Sequence, residues 1–163
     1  MTRAVRAAVV ASLVVIGQAG CGKSSPAGPS PTAAIDLSAN PNPIVSRVCA
    51  GCGAGSTDRE AVTQLTIRET GGAAATVTAI AVSLRDNASG ATIGAGEFDQ
   101  GGVASLAGSA QLAPNGTLTA RDVGVHYPPS QAGRAATLTY TVRIRDDRGN
   151  TTSRDLAVPV PAT

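Results

Sequence analysis

Two cysteines three residues apart, in Cys49-Ala50-Gly51-Cys52, are the side chains best suited by type and spacing to do chemistry. A C-x-x-C pair can exchange electrons with another dithiol, supply part of a metal centre or close a small ring. Redox work in such pairs relies on a helix N-terminus whose dipole lowers the pKa of the first thiol. Gly51, Gly53 and Gly55 disfavour a helix here. A zinc or copper centre needs further ligands, and the chain offers one histidine, His126, and one methionine, the initiator. The expected state is therefore a local disulfide between Cys49 and Cys52 that shapes a Gly-rich loop, worth about 2 kcal/mol by loop-closure entropy. A secreted thiol-disulfide oxidoreductase using the same two residues is the alternative.

Other candidates have simpler explanations. His126 follows Val125 in a run with strand character and has no nucleophile motif near it, so a structural or surface role is expected. Asp146, Asp147 and Asn150 could gather oxygens around calcium, but a tight hairpin uses Asp and Gly-Asn for backbone reasons alone. Asn87, Asn115 and Asn150 each open an N-x-[ST] sequence. Gly17 to Ser24 fits the phosphate-binding string G-x-x-x-x-G-K-[ST]. That loop works only if a helix begins at its end, and Pro26, Pro29 and Pro31 forbid one. No nucleotide, cofactor or metal is expected.

The first 20 residues have the layout of an export signal: Arg3 and Arg6, a run from Ala7 to Ile16 that is apolar except for Ser12, then small residues. Such a run is too short for a stable membrane span, which takes about 20 residues. Gly17-Gln18-Ala19-Gly20-Cys21 resembles the lipobox of bacterial lipoproteins, with Gln18 where an aliphatic residue is usual. The resemblance implies cleavage before Cys21 and lipidation of its thiol. Gly22 in place of Asp then implies sorting to the outer membrane. An ordinary secretory cut after Ala19, giving a soluble secreted or periplasmic protein, is the alternative. Lipidation of Cys21 leaves Cys49 and Cys52 as an even pair, which suits an oxidising compartment.

Residues 21 to 34 are rich in Pro, Ser, Gly and Ala and read as a lipid-anchored tether. From Ile35 the hydrophobic period becomes two, which is the mark of half-buried strands. Ile35 and Leu37, Leu65 and Ile67, Ile80 to Leu84, Leu138 to Ile144 and Leu156 to Val160 carry it. Ala91 to Phe98 and Thr117 to Tyr127 are weaker candidates. In the latter the apolar phase slips between Ala120 and Val123, which predicts a bulge. Thr57 to Glu69 could instead be a helix with a Thr57/Glu60 capping box, but its β-branched residues favour a strand. Gln100 to Pro114 reads as a loop. Turn residues fall between the runs, at Asn40 to Pro43, Glu69 to Gly72, Asp86 to Gly90, Pro114 to Gly116 and Asp147 to Asn150.

This spacing predicts an all-β antiparallel sandwich of about seven strands over residues 35 to 163. Leu138 to Val158, an alternating strand, an acidic residue, a Gly-Asn turn and a second strand, resembles the last hairpin of bacterial immunoglobulin-like domains. The resemblance implies an immunoglobulin-like sandwich, without the inter-sheet cysteines and buried Trp of antibody domains. Such modules are spacers, adhesive units or partner-binding domains.

Composition narrows the partners. Of 163 residues 42% are hydrophobic, yet the aromatics are only Phe98, Tyr127 and Tyr140. Rows of flat rings for sugars or bases are therefore excluded. A net charge of +2, spread over scattered arginines, gives no phosphate-binding stripe, so nucleic acid is not an expected partner. Taken together, the sequence reads as a non-catalytic envelope lipoprotein, a binding or structural module whose partners are the membrane, through its anchor, and other envelope proteins. Its recognising surface is expected at an exposed sheet edge, at the Cys49–Cys52 loop or along Gln100 to Pro114.

Overall fold

The computed structural model describes residues 30–53 and 58–162. Cys21, the signal-like segment, the phosphate-loop string and Thr57 lie outside them. The described chain folds as two antiparallel sheets packed face to face, with one short helix.

The first sheet contains β1 (Ile35–Asn40), β2 (Arg47–Val48), β3 (Arg59–Glu69) and β7 (Thr117–Tyr127). The second contains β4 (Ala75–Asp86), β5 (Thr92–Asp99), β6 (Gln111–Leu112), β8 (Ala136–Asp146) and β9 (Thr151–Val160). In the first, β3 lies between β1 and β7, and β2 continues the β1 edge along the start of β3. In the second the order is β5-β4-β8-β9, and β6 continues the β5 edge. This is an immunoglobulin-like sandwich, with the first, second and fifth long strands in one sheet and the third, sixth and seventh in the other, where the fourth, β5, also pairs. The expected count of about seven matches the strands of six residues or more, and the additional two, β2 and β6, have 2 residues each.

Side-chain alternation builds the core. Along β8, Leu138, Tyr140, Val142 and Ile144 point inward while Thr139, Thr141, Arg143 and Arg145 point away. Opposite them on β4 stand Leu84, Val82 and Ile80. The first sheet contributes Leu65 and Ile67 of β3 and Leu118, Ala120, Val123 and Val125 of β7. Tyr140 is wholly buried, and its hydroxyl meets Thr63 Oγ1 at 2.8 Å and donates to Val123 O at 3.1 Å. The phenol thus satisfies polar groups of the opposite sheet, and burial pushes its pKa up to about 12.

Those partners flank the predicted bulge. Thr63 pairs with Val123 and Leu65 with Ala120, so β7 carries one extra residue. Arg121 and Asp122 both face solvent there, with Asp122 at φ 52°. The segment Thr57 to Glu69 is a strand from Arg59 onward, as β-branching favours, and Glu60 serves no capping box.

Two expectations are corrected. Gln100 to Pro114 is not merely a loop, because α1 (Gln100–Ala107) opens it and β6 follows. The Asp99 carboxylate accepts from Gly102 N at 2.8 Å, Val103 is fully buried, and Gly108 closes the helix at φ 78°. Residues 32 to 34, assigned to the tether, are part of the packed structure. Thr70 N donates to Ala34 O at 2.9 Å, and Ala33 is buried. A Cβ on Gly71 would lie 1.9 Å from Thr32 O, so the glycine permits this close approach.

Candidate functional site

The Cys49–Cys52 loop is positioned by the way β1 ends. Pro41 and Pro43 lack the N–H groups that would continue the ladder, so the chain leaves β3. Ile44 N then donates to Pro159 O of β9 at 2.9 Å and its side chain is wholly buried. The chain returns as β2, pairing Arg47 with Glu60 and Val48 with Arg59. Beyond it, Cys49 N donates to Asp58 O at 2.8 Å. Cys49 and Cys52 are joined by a disulfide with Cα atoms 5.6 Å apart. Cys49 is buried at 4% exposure, whereas Cys52 is half-buried.

The other flank of β3 brings in β7, whose end pairs His126 with Glu60 and Tyr127 with Arg59. Arg47, Glu60 and His126 therefore form one row across three strands. Period two puts Cys49 on the same side as Arg47. His126 accordingly meets the disulfide: one ring nitrogen and both sulfurs all lie within 4.8 Å of one another.

Polar contacts join the row. Arg47 Nε donates to Glu60 Oε1 at 2.5 Å, and His126 Nε2 stands 3.6 Å from Glu60 Oε2. The Glu60 carboxylate is nearly buried, while Arg47 and His126 are more than half exposed. On the opposite side of the strand row, Tyr127 Oη is hydrogen-bonded to Ser46 Oγ. Arg59 clasps the same serine, giving Nε to its hydroxyl at 3.2 Å and Nη2 to its carbonyl at 2.8 Å. The loop entrance is thus held from both faces. Val45 and Val48, on the turn into it and on β2, project into solvent at 66% and 54% exposure, and no other large hydrophobic of the described residues is so exposed.

The remaining sequence candidates are placed as follows. Asp146 accepts from Arg148 N, Asn150 N and Asn150 Nδ2 at 2.8 to 3.0 Å, so its oxygens are occupied by the β8–β9 turn. The Asn150 side-chain hydrogen bond leads the interactions that lower its pKa against the effect of burial. Asp147 points to solvent. Asp86 plays the same part after β4, taking Ala88 N and Ser89 N at 2.8 Å and Arg134 Nη1 at 3.1 Å. The Ser89 amide and the Arg134 guanidinium hold its pKa down to about 2. Asn87, Asn115 and Asn150 all sit in exposed turns.

No local pattern in the sequence joins His126 to the cysteine pair. What joins them is the β3–β7 register, and the hint of it in the sequence was the bulge that sets the register of the far end of β7.

No family model matches the chain, and no curated protein matches it. Among solved structures it is similar to the X-ray structure of Northeast Structural Genomics Consortium target SoR45, at 11% identity, over 80% of this chain and 86% of that chain, with a TM-score of 0.48.

Proposed function

We propose that this chain is a non-catalytic cell-envelope lipoprotein: lipidated at Cys21, tethered by the Pro- and Ser-rich segment, and presenting its β-sandwich as a protein-binding module at the outer membrane. The observation that carries the binding role is the exposure of Val45 and Val48 on the segment that leads into the Cys49–Cys52 ring. Exposed apolar side chains held on a fixed edge lose little entropy when a partner covers them. Salt links at Arg47–Glu60 and the Arg59–Ser46 clasp supply that rigidity. The test is a photo-crosslinking residue placed at Val48 in cells, with Arg121 on the bulge as control position. One discrete envelope-protein adduct from position 48 and none from 121 is expected. Equal labelling at both positions, or none, would contradict the reading.

A second reading, thiol-disulfide exchange, is favoured by His126 beside the sulfurs. An incoming thiolate would attack Cys52 Sγ, on the more exposed of the two residues, forming a mixed disulfide and releasing Cys49 as thiolate next to the imidazole. A second thiol of the same donor would then attack the mixed disulfide and release Cys52. Two electrons and two protons pass from a dithiol to the cysteine pair. Cys52→Ser abolishes such turnover, while the binding module has none to lose.

A further inference from the structure

We propose that reduction of the Cys49–Cys52 disulfide converts this loop into a binding site for one soft d10 cation, Cu⁺ ahead of Zn²⁺, held by the two thiolates and the His126 imidazole. This goes beyond the binding-module reading and does not depend on it. Two C-x-x-C thiolates alone make a weak, open chelate, and the chain's one histidine could have been anywhere on the sandwich. The fold instead puts a ring nitrogen within 4.8 Å of both sulfurs.

Metal–sulfur bonds of about 2.3 Å and metal–nitrogen bonds of about 2.0 Å place donors around one cation roughly 3.5 to 4 Å apart. Once the S–S bond opens, the sulfurs separate to that distance and the imidazole closes the remaining gap by a side-chain movement. His126 is free to make it, because its side chain is 56% exposed.

The surroundings favour the same occupant. Ligating histidines are oriented by a carboxylate on their far side. Glu60, fixed by Arg47, stands 3.6 Å from His126 Nε2 and takes that orienting place when Nδ1 is the nitrogen turned to the sulfurs. Cys49 is held through its backbone by Asp58 O, so one sulfur is anchored at the end of β2. Two thiolates and one imidazole satisfy Cu⁺, which is stable with three donors, but leave Zn²⁺ one short of four.

The electron balance is simple. A dithiol closes to its own disulfide while Cys49–Cys52 opens to two thiols, a transfer of two electrons and two protons. Cu⁺ then binds with release of the two thiol protons to solvent. The oxidised loop has no thiolate to offer, so cation binding reports the redox state of the pair.

The experiment uses the full chain carrying Cys21→Ala, so that Cys49 and Cys52 are its only thiols, after reduction and anaerobic desalting. Cu⁺ is titrated against bicinchoninate, and Zn²⁺ in parallel against a pyridylazo chelator. One Cu⁺ per reduced chain is expected, none for the oxidised chain, and at least a tenfold loss of affinity in His126→Ala. The melting temperature of oxidised His126→Ala, expected to equal that of its parent, shows that the loss is not unfolding. Uptake of neither cation by the reduced chain, or uptake that ignores His126→Ala, would overturn the site. Zn²⁺ uptake without Cu⁺ uptake would overturn the choice of cation.

Discussion

Glu69 provides the sharpest test of how the sandwich is closed at one end. Its side chain is 1% exposed and takes four backbone N–H groups. Oε1 receives Ala34 N at 3.2 Å and Gly71 N at 2.6 Å, and Oε2 receives Gly72 N at 2.9 Å and Asn115 N at 2.7 Å. One carboxylate thus ties the entry to β1, the β3–β4 turn and the turn before β7. Glu69→Gln keeps the shape but turns one oxygen into an NH₂, which faces two donors and leaves both unpaired. Hydrogen bonds to a charged group are worth about 1.5 to 3 kcal/mol each, so losing two should cost about 3 to 6 kcal/mol. For a domain of this size, at about 4 °C per kcal/mol, that lowers the melting temperature by about 12 to 24 °C. Burial raises the carboxyl pKa, but the amides of Asn115, Ala34, Gly71 and Gly72 outweigh it, and the net shift is downward from 4.5. A folded-state pKa below the unfolded value means the stabilisation is present above the unfolded pKa and is lost as pH falls through the folded one. Urea denaturation of wild type and Glu69→Gln at neutral and acidic pH measures both effects. A neutral-pH difference below about 1 kcal/mol, or an acid sensitivity unaltered by the substitution, would refute the reasoning.

Two further substitutions probe the contact between and within sheets. Tyr140→Phe strands the Thr63 hydroxyl and Val123 carbonyl and should cost about 1 to 3 kcal/mol, with Tyr140→Phe/Thr63→Val less than additive in a double-mutant cycle. Strict additivity would mean that the two hydroxyls do not interact. A Cβ on Gly124 would lie 1.9 Å from Ala61 O, so Gly124→Ala must push β7 away from β3. Because backbone and not a flexible side chain is in the way, a loss of at least about 3 kcal/mol is expected in thermal or urea unfolding, and near-neutral behaviour would contradict the β3–β7 packing.

Much of the fold was legible because a single physical signal, alternation, fixes both strand and face. Leu138, Tyr140, Val142 and Ile144 are buried in alternation as the pattern required, and the slip between Ala120 and Val123 is the bulge itself. Helix α1 was hidden because Gly101 and Gly102 argue against a helix, and its marks, Asp99 as cap and Gly108 as terminator, also suit a loop. Strands β2 and β6 are too short to show any period. Glu69 reads only as the first residue of the Glu69 to Gly72 turn, since nothing local reveals that three separate segments converge on it.

The candidate site divides in the same way. Parity of the cysteines pointed to the Cys49–Cys52 ring, which is a local feature. Its neighbour His126 was set aside, because proximity across β3 depends on long-range register that no local pattern encodes. The same register makes Glu60, read as a possible helix cap, the link between Arg47 and His126.

The most direct test of the account as a whole is the intact mass of the protein extracted by detergent from native membranes, alkylated with and without prior reduction. The account predicts a chain that begins at Cys21, carries lipid, and takes up alkylating agent only after reduction, at Cys49 and Cys52. A soluble, unlipidated chain that retains residues 1 to 20, or two thiols alkylated without reduction, would contradict it.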